Sequence, residues 1–293
     1  MTSTPTTVST DPLIADVSDT ARWVAVYRAM ESERPDALFR DPFARRLAGA
    51  KGEEIVAKMK DGLRMAWPMI LRTYLMDEII LREIKNGTDT VLNLAAGLDV
   101  RAFRMALPET LHWIDVDHPH MVEYKSDAMK AEQPVCRYEA VPLDLADVEA
   151  RRGLFARVNN GARRVLVITE GLLIYLDEPS VVGLANDLHT QPRFARWLSD
   201  LASPGLLKMM SKGWGKTVAA GNAPFLFGPA DGPKFFERLG FAELEWRAFF
   251  DEGIRLNRTF PMAKFFRFIG RFSSAKRKAE FRYFSGVMLL GRA

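Results

Sequence analysis

The chain has few of the residues that bind metals or form covalent cross-links. Cys136 is its only cysteine, which excludes an internal disulfide and favours a reducing, cytoplasmic setting. The four histidines fit no common zinc-ligand spacing, and no cysteine lies near the closest pair, His118 and His120. We therefore expect no metal site in this protein.

Long apolar runs and a strong excess of charge are also missing. No stretch reaches the ~20 apolar residues that span a bilayer, so we expect no stable membrane insertion. The 41 basic and 37 acidic residues leave a net charge of +4, which is too small to indicate nucleic-acid binding. The polar N-terminus, MTSTPTTVSTDP, lacks the apolar segment of a secretory signal, and residues 1–15 are predicted to form a disordered tail.

Helical patterns dominate the first third of the chain. Residues 16–49 predict two helices separated near Pro35, and the second is expected to end at Gly49. A longer helix is predicted over 68–87, because Pro68 and Gly87 suit its two ends. We assign residues 16–88 to an N-terminal helical cap.

From residue 89 the chain alternates short apolar segments with longer amphipathic ones. Strands are predicted at 90–95, 111–116, 137–143, 164–170 and 193–201, and helices at 100–107, 119–131, 146–158 and 178–189. This alternation favours an α/β fold with a mainly parallel sheet and helices on both faces. Residues 89–202 are thus the predicted core, 203–230 a lid insertion, and 231–293 the rest of the core within one domain.

The turn after the first predicted strand contains one glycine where a dinucleotide-binding fold uses three. In NLAAGLDVRAFR only Gly97 is a glycine, so a helix terminus built to bind pyrophosphate is poorly supported. S-adenosylmethionine is the alternative ligand, because it has no phosphates and still needs a close approach to the backbone. A simple tight turn at Gly97 remains a second interpretation.

Acidic residues follow three strands at the edge where parallel sheets bind their ligands. Asp117 lies twenty residues after Gly97, where a carboxylate can accept hydrogen bonds from a ribose. Asp144 is positioned to accept from an adenine amino group, and Glu170 follows the next strand. Each acid has a structural alternative: a strand-end cap for Asp117, a helix N-cap for Asp144, and a surface loop for Glu170.

Together these motifs resemble the leucine carboxyl methyltransferase family of class I S-adenosylmethionine-dependent methyltransferases. The resemblance runs from about residue 18 to the C-terminus and rests on RTYLMDEI, NLAAGLDVRAFR, IDVDHP, PLDL, TEGLLIYL, DLASPGLLKMM and FGPADGPKFFERLGF. Within the family, the chain is most similar to the bacterial branch of tetracenomycin-type polyketide O-methyltransferases. The resemblance implies a Rossmann-like sheet of seven strands with an antiparallel last strand and a helical cap.

The resemblance also implies which residues bind S-adenosylmethionine: Arg72, Gly97, Asp117, Asp144, Leu145 and Glu170. Arg72 would pair with the methionine carboxylate, and Gly97 would let the backbone pass close to that end of the cofactor. Asp117 would hold the ribose, Asp144 with Leu145 the adenine, and Glu170 would lie near the sulfonium. The usual Gly-Ala-Gly turn begins with Ala95 in this chain, which adds a methyl group to the approach.

The acceptor is less well specified than the cofactor. Tyr175 and Arg28 are the candidates for catalysis, although tyrosine is a poor base and Arg28 also suits an anion contact. Arginines are plentiful near the cap, at positions 22, 28, 64 and 72, which favours a small-molecule carboxylate over a phenol as the methyl acceptor. The alternatives are a phenol O-methyltransferase and a non-catalytic protein that binds S-adenosylmethionine.

Two groups of charged residues remain outside the motifs. Asp99, Arg101 and Arg104 are predicted to pair with one another or with neighbouring strands and to take no part in the chemistry. Residues 261–284 interleave basic residues with phenylalanines. This segment suits a solvated loop, a lid over the active site or a membrane-surface helix, and the sequence does not choose among them.

Overall fold

The computed structural model describes residues 17–58, 66–220, 224–272, 274 and 281–293. The described elements are α1 (Val17–Ser32), α2 (Ala44–Lys58), α3 (Ala66–Lys85), β1 (Thr90–Leu94), α4 (Arg101–Arg104), β2 (His112–Asp117), α5 (Pro119–Met129), β3 (Arg137–Pro142), α6 (Val148–Gly161), β4 (Val165–Thr169), α7 (Glu178–His189), β5 (Phe194–Ala202), α8 (Pro204–Ala220), β6 (Phe241–Ala248), α9 (Phe249–Arg255), α10 (Ala263–Gly270) and β7 (Ser285–Arg292). Two 3-10 segments, Leu173–Tyr175 and Gly232–Leu239, complete them. The predicted tail over 1–15 lies outside the described residues, and so does position 64.

The sheet has seven strands in the order β3-β2-β1-β4-β5-β7-β6. The first five strands pair in parallel, and β7 runs antiparallel to both β5 and β6. The predicted α/β fold with an antiparallel last strand is therefore confirmed. Because the chain order reverses between β1 and β4, the loops that follow these two strands leave a crevice between them.

Alternate residues of the strands enter two separate cores, one on each face of the sheet. Leu92 of β1 packs in the cluster that contains Phe155 of α6 and Leu184 of α7. Its neighbour Val91 faces the opposite cluster, which contains Leu75 of α3. The period of two along each strand thus explains why helices are needed on both faces. A third cluster joins α1 and α2 to the loop after β1.

Several helix boundaries differ from the prediction. The second helix does not end at Gly49 but continues to Lys58, with a break at Gly49, where φ is 61°. The predicted helix at 100–107 forms only a single turn, α4. The helix expected over 146–158 begins at Val148 and ends at Gly161. Apolar periodicity locates such helices but leaves their ends to capping contacts and local packing.

The segments after β5 were only partly anticipated. Residues predicted as a lid form the α8 helix from Pro204 to Ala220. The motif DGPKFFERLGF forms a 3-10 segment, Gly232–Leu239, that is capped by Gly240. Gly240 has φ of 85°, and a Cβ there would lie 2.5 Å from Cε1 of His189, so only glycine suits this turn. The proposed domain divisions themselves remain a prediction.

Candidate active site

A cavity of about 1640 Å³ opens at the carboxyl edge of the sheet, in the crevice between β1 and β4. Its lining includes the loops after β1, β2, β4 and β5 together with residues of α1, α3 and α10. The volume exceeds the ~300–1000 Å³ of a typical small-molecule pocket. It therefore has room for two molecules side by side, as a group-transfer reaction requires.

The turn after β1 gives this cavity its closest approach to the backbone. Gly97 has φ of 50°, and a Cβ at this position would lie 3.2 Å from the Cβ of Ala21 in α1. Glycine thus allows α1 to lie directly over the turn. Ala95, which replaces the first glycine of the family motif, has φ of 53°. An alanine in this left-handed conformation costs roughly 1 kcal/mol, so the departure strains the turn without changing its path.

Asp117 ends β2 beside this turn and lines the cavity. Its Oδ2 accepts a hydrogen bond of 2.6 Å from the backbone N–H of Gly97. Its Oδ1 accepts one of 2.7 Å from the N–H of His118. An ionised carboxylate has about four lone-pair sites, so both oxygens can still accept from a second pair of donors. Asp117 is therefore oriented by the backbone and is available to a ligand with two hydroxyl groups.

Asp144 and Leu145 follow β3 and lie outside the lining of the large cavity. Asp144 is exposed and its Oδ1 accepts from the N–H of Ala146 at 2.9 Å. It is not the N-cap of the next helix, because Asp147 holds that position and accepts from Ala150. The role of Asp144 and Leu145 in adenine binding remains a prediction.

Arg72 and Glu170 meet at the carboxyl ends of β1 and β4. Arg72, on α3, donates through Nε to Oε1 of Glu170 at 3.0 Å and through Nη1 to Oδ2 of Asp200 at 3.2 Å. Asp200 is also fixed by the N–H of Gly171, which donates to its Oδ1 at 2.6 Å. Helix α3 and the ends of β4 and β5 thus converge on a single guanidinium at the wall of the cavity.

Arg101 joins this pair to a second group of acids. Its side chain is 2% exposed and contacts Glu170 at 2.7 Å, Asp99 at 2.6 Å and Asp77 at 2.6 Å. Arg104 completes the group through its own ion pair with Asp77 at 2.7 Å. The prediction that Asp99, Arg101 and Arg104 form ion pairs is confirmed, and the pairs also fix the carboxylate of Glu170 at the cavity wall.

The charges of this network hold its acids ionised. Burial alone would raise the pKa of Asp99, but Arg101 and then Lys125 lower it to about 2. Burial likewise opposes the charge on Glu170, yet Arg101 and Arg72 hold its pKa below the ordinary value. At neutral pH these acids are therefore ionised, and the arginines of the network balance their charge at the cavity wall.

The two catalytic candidates line the cavity, but neither presents a free reactive group. Burial raises the pKa of Tyr175, so its phenol stays protonated at neutral pH. Arg28 donates to Oδ2 of Asp41 at 2.8 Å and to the carbonyl oxygen of Leu98 at 2.6 Å. These bonds tie α1 to the turn after β1. A catalytic role for Tyr175 or Arg28 remains a prediction.

Two charged residues of the site were missed by sequence reasoning. Asp200 lies near the end of β5, as Glu170 does after β4, so the strand-end pattern could have identified it. Arg101 was assigned to structure alone, although it lines the cavity and binds Glu170. Only the fold brings α3 and α4 to the same carboxylate, and no spacing in the sequence encodes that contact.

The half of the cavity away from Asp117 is rich in aromatic side chains, and Arg247, Asp251 and Glu252 lie among them. Its lining includes aromatic side chains from four parts of the chain: Trp67, Phe225, Phe249, Phe250, Phe260, Phe266, Phe281 and Phe284. Arg267, Arg271 and Arg282 lie at the same end, and none of them forms an ion pair within the described part of the chain. This half therefore suits an acceptor with an apolar body and an anionic group.

Comparison with known proteins identifies the group to which this architecture belongs. The profile of the leucine carboxyl methyltransferase family matches residues 21–188. This chain belongs to the leucine carboxyl methyltransferase family. The match covers the turn at Gly97 and all three predicted acids, Asp117, Asp144 and Glu170.

Curated proteins from other bacteria are similar over much of the chain. A Streptomyces coelicolor protein is 38% identical over 172 residues, which are 55% of this chain and 60% of that protein. A Mycobacterium avium protein is 30% identical over 273 residues, or 85% of this chain and 79% of that protein. Both are named as S-adenosyl-L-methionine-dependent methyltransferases. The chain thus spans about 60% of the Streptomyces relative and more of the mycobacterial one.

Solved structures show the same fold at low sequence identity. A DUF574-family protein from Streptomyces avermitilis has a TM-score of 0.60 at 15% identity, covering 94% of this chain and 97% of its own. A Thermobifida fusca protein has a TM-score of 0.59 at 12% identity, covering 96% of each chain.

Within the residues described here, no group of acids, histidines and cysteines is arranged to hold a metal ion. None of the described helices is long and apolar enough to span a bilayer.

Proposed function

We propose that this family member is an S-adenosylmethionine-dependent O-methyltransferase whose acceptor is a small-molecule carboxylate. The observation that carries the proposal is the convergence of Gly97, Asp117 and the Arg72–Glu170 pair on one end of a cavity with room for a second molecule. The relatives named as S-adenosylmethionine-dependent methyltransferases support it. A cytoplasmic location and membership of the polyketide branch accompany the proposal as expectations.

The residues of the cavity fit the cofactor in charge and shape. Bound S-adenosylmethionine supplies an electrophilic methyl group on a sulfonium. Asp117 would accept from its ribose hydroxyls, and Gly97 would allow the turn to approach it closely. Arg72 would hold the methionine carboxylate. Glu170 is kept ionised by two arginines and would lie near the sulfonium.

The acceptor class follows from how few bases line the described part of the cavity. Tyr175 has a raised pKa and would hold its proton. A carboxylic acid has a pKa of about 4 and is ionised without help, whereas a phenol near ~10 needs a base. Of the four arginines first considered, Arg28 pairs with Asp41, Arg22 donates to Tyr124, Arg72 is assigned to the cofactor, and position 64 lies outside the described residues. Arg267, Arg271 and Arg282 now take their place as the cations that attract an anionic acceptor.

The cofactor assignment is tested by calorimetric titration with S-adenosylmethionine and S-adenosylhomocysteine, with NAD as a ligand that should not bind. Asp117→Ala leaves ribose hydroxyls unpaired, which should cost about 1–3 kcal/mol, or about 5- to 150-fold in Kd. Glu178→Gln is the matched control, because Glu178 is an exposed acid on α7 outside the cavity. An unchanged affinity in Asp117→Ala would remove this residue from the site.

The acceptor class is tested separately with a panel of carboxylic acids and phenols and a methyl-labelled cofactor. For a carboxylate, the rate should be nearly flat between about pH 6 and 9, because neither acceptor nor arginine titrates there. A rate that rises tenfold per pH unit, with phenols methylated and acids untouched, would favour base-assisted phenol methylation. Cofactor binding without any turnover would favour a non-catalytic protein.

A further inference from the structure

The helix α10 and the two residues after it expose an unusual number of phenylalanines. Phe265 is 52% exposed, Phe268 is 56% exposed and Phe272 is 77% exposed. The spacing of i, i+3 and i+7 puts the three rings on one face of the helix. Phe265 contacts the ring of Phe266, and Phe268 contacts the ring of Phe272. This face is therefore apolar and in contact with solvent.

Basic side chains flank the phenylalanine face along the whole helix. Lys264, Arg267 and Arg271 repeat the same spacing one position away, and all three are exposed. None forms an ion pair within the described residues, and the stretch from 261 to 272 contains no acid. The helix thus combines exposed aromatic rings with three cations that pair with no acid among the described residues.

We propose that α10 docks this protein on an anionic lipid surface, with Phe265, Phe268 and Phe272 at the boundary between headgroups and acyl chains. Helices that lie in a membrane interface have this composition, because the rings leave water while lysine and arginine reach the headgroups. The charge complementarity selects the occupant: three cations beside the apolar face, with no acidic partner among the described residues, match the negative potential of an anionic leaflet.

The same helix also forms part of the cavity wall. Phe266, Ile269 and Gly270 line the cavity, while the three docking phenylalanines lie outside its lining. Docking would therefore place one wall of the acceptor site at the lipid surface. The docking phenylalanines and Lys264 do not line the cavity, whereas Arg267 and Arg271 do. The inference does not rest on the proposed methyl transfer, because it is tested by vesicle binding alone.

The test is co-sedimentation of the full chain with two kinds of vesicle. One is pure phosphatidylcholine, and in the other a third of the lipid is phosphatidylglycerol. We expect binding to the anionic vesicles that weakens as salt is added. The triple variant Phe265→Ser, Phe268→Ser, Phe272→Ser should lower the partition coefficient at least ~10-fold, because three apolar rings no longer leave water. Lys264→Gln alone should lower it about 5-fold.

Leu244→Ser is the control, because Leu244 is 49% exposed but lies on β6 rather than on α10. It should bind vesicles like the unaltered protein, and circular dichroism should show that both variants are folded. The proposal is wrong if the unaltered chain binds neither vesicle, if it binds both equally at all salt concentrations, or if the triple variant still binds. Sedimentation velocity adds one more outcome. If the unaltered chain self-associates but does not bind vesicles, and only the triple variant fails to self-associate, this face binds a second copy of the chain instead of a membrane.

Discussion

Replacing Arg101 with methionine should be among the most damaging single changes in the protein. The methionine fills a similar space but leaves Asp77, Asp99 and Glu170 around a site that is 2% exposed. Two of these acids keep another cation: Asp77 retains Arg104 at 2.7 Å, and Glu170 retains Arg72 at 3.0 Å. Asp99 keeps hydrogen bonds such as the one from the amide of Asn93, and its remaining cationic neighbours, Lys125 and Arg104, form no ion pair with it.

The expected loss follows from leaving one buried charge without its partner, which costs about 3–5 kcal/mol. For a chain of this size that loss corresponds to a decrease of about 6–10 °C in Tm. Thermal unfolding at pH 7, followed by circular dichroism, measures it. The control is Arg163→Met, because the side chain of Arg163 is 89% exposed and its pair with Asp89 should contribute less than about 1 kcal/mol.

The pH dependence of Arg101→Met separates an electrostatic cause from a packing defect. In the unaltered protein Arg101 holds the pKa of Asp99 at about 2. In the variant, burial remains and Arg101 is gone, while Lys125 and Arg104 form no ion pair with Asp99, so the pKa of Asp99 should rise above its ordinary value of 3.8. Protonation of Asp99 then removes the unpaired charge, so the difference in free energy of unfolding between the variant and the unaltered protein should shrink between pH 7 and pH 4. A deficit below about 1 kcal/mol at pH 7, or one that stays constant with pH, would refute the reasoning.

Three further results are expected. In the unaltered protein, the stabilisation by ionised Asp99 is complete above pH 3.8 and is lost as the pH falls through about 2. Urea unfolding should therefore show that the free energy of unfolding decreases by about 2 kcal/mol over this range. The Asp99→Asn variant should not show this decrease. Gly171→Ala should destabilise the protein by about 1–2 kcal/mol, since φ is 65° and the new Cβ would lie 3.0 Å from Nη1 of Arg72. Gly183 is a helical position with open space around it, so Gly183→Ala should stabilise the protein by roughly 0.5–1 kcal/mol in the same thermal unfolding experiment. Burial raises the pKa of Cys136 to about 11. Its thiol should therefore react with a thiol reagent at pH 8 at least ~100-fold more slowly than the same thiol in the unfolded chain. An equal rate would show that Cys136 is accessible.

The acids at the strand ends illustrate how far sequence patterns reach into the site. Asp117 and Glu170 were predicted because parallel strands present their carboxyl ends at one edge, and both line the cavity. Asp144 followed the same rule, yet it lies outside the lining, since the rule fixes an edge of the sheet and not the direction of a loop. Asp200 obeys the rule as well and was passed over because its strand, β5, was treated only as part of the core.

The contacts of the arginines could not be predicted in the same way, because their partners come from distant segments of the chain. Arg28 was predicted as an anion contact, but Asp41 and the carbonyl of Leu98 take its donors. Arg101 pairs with Asp77 on α3 and Glu170 after β4, contacts that span 24 and 69 residues of sequence. Long side chains can reach several neighbours, so their partners depend on how the helices pack against the sheet.

Local chemistry in the sequence alone determined the order of strands and helices, the glycine turn and the acids that follow the strands. These features depend on period, turn conformation and side-chain type within about ten residues. The tertiary structure decided which charges meet, where the cavity lies and which face of α10 remains exposed. Those outcomes depend on contacts between segments far apart in the chain, where burial removes the water that would otherwise separate the charges.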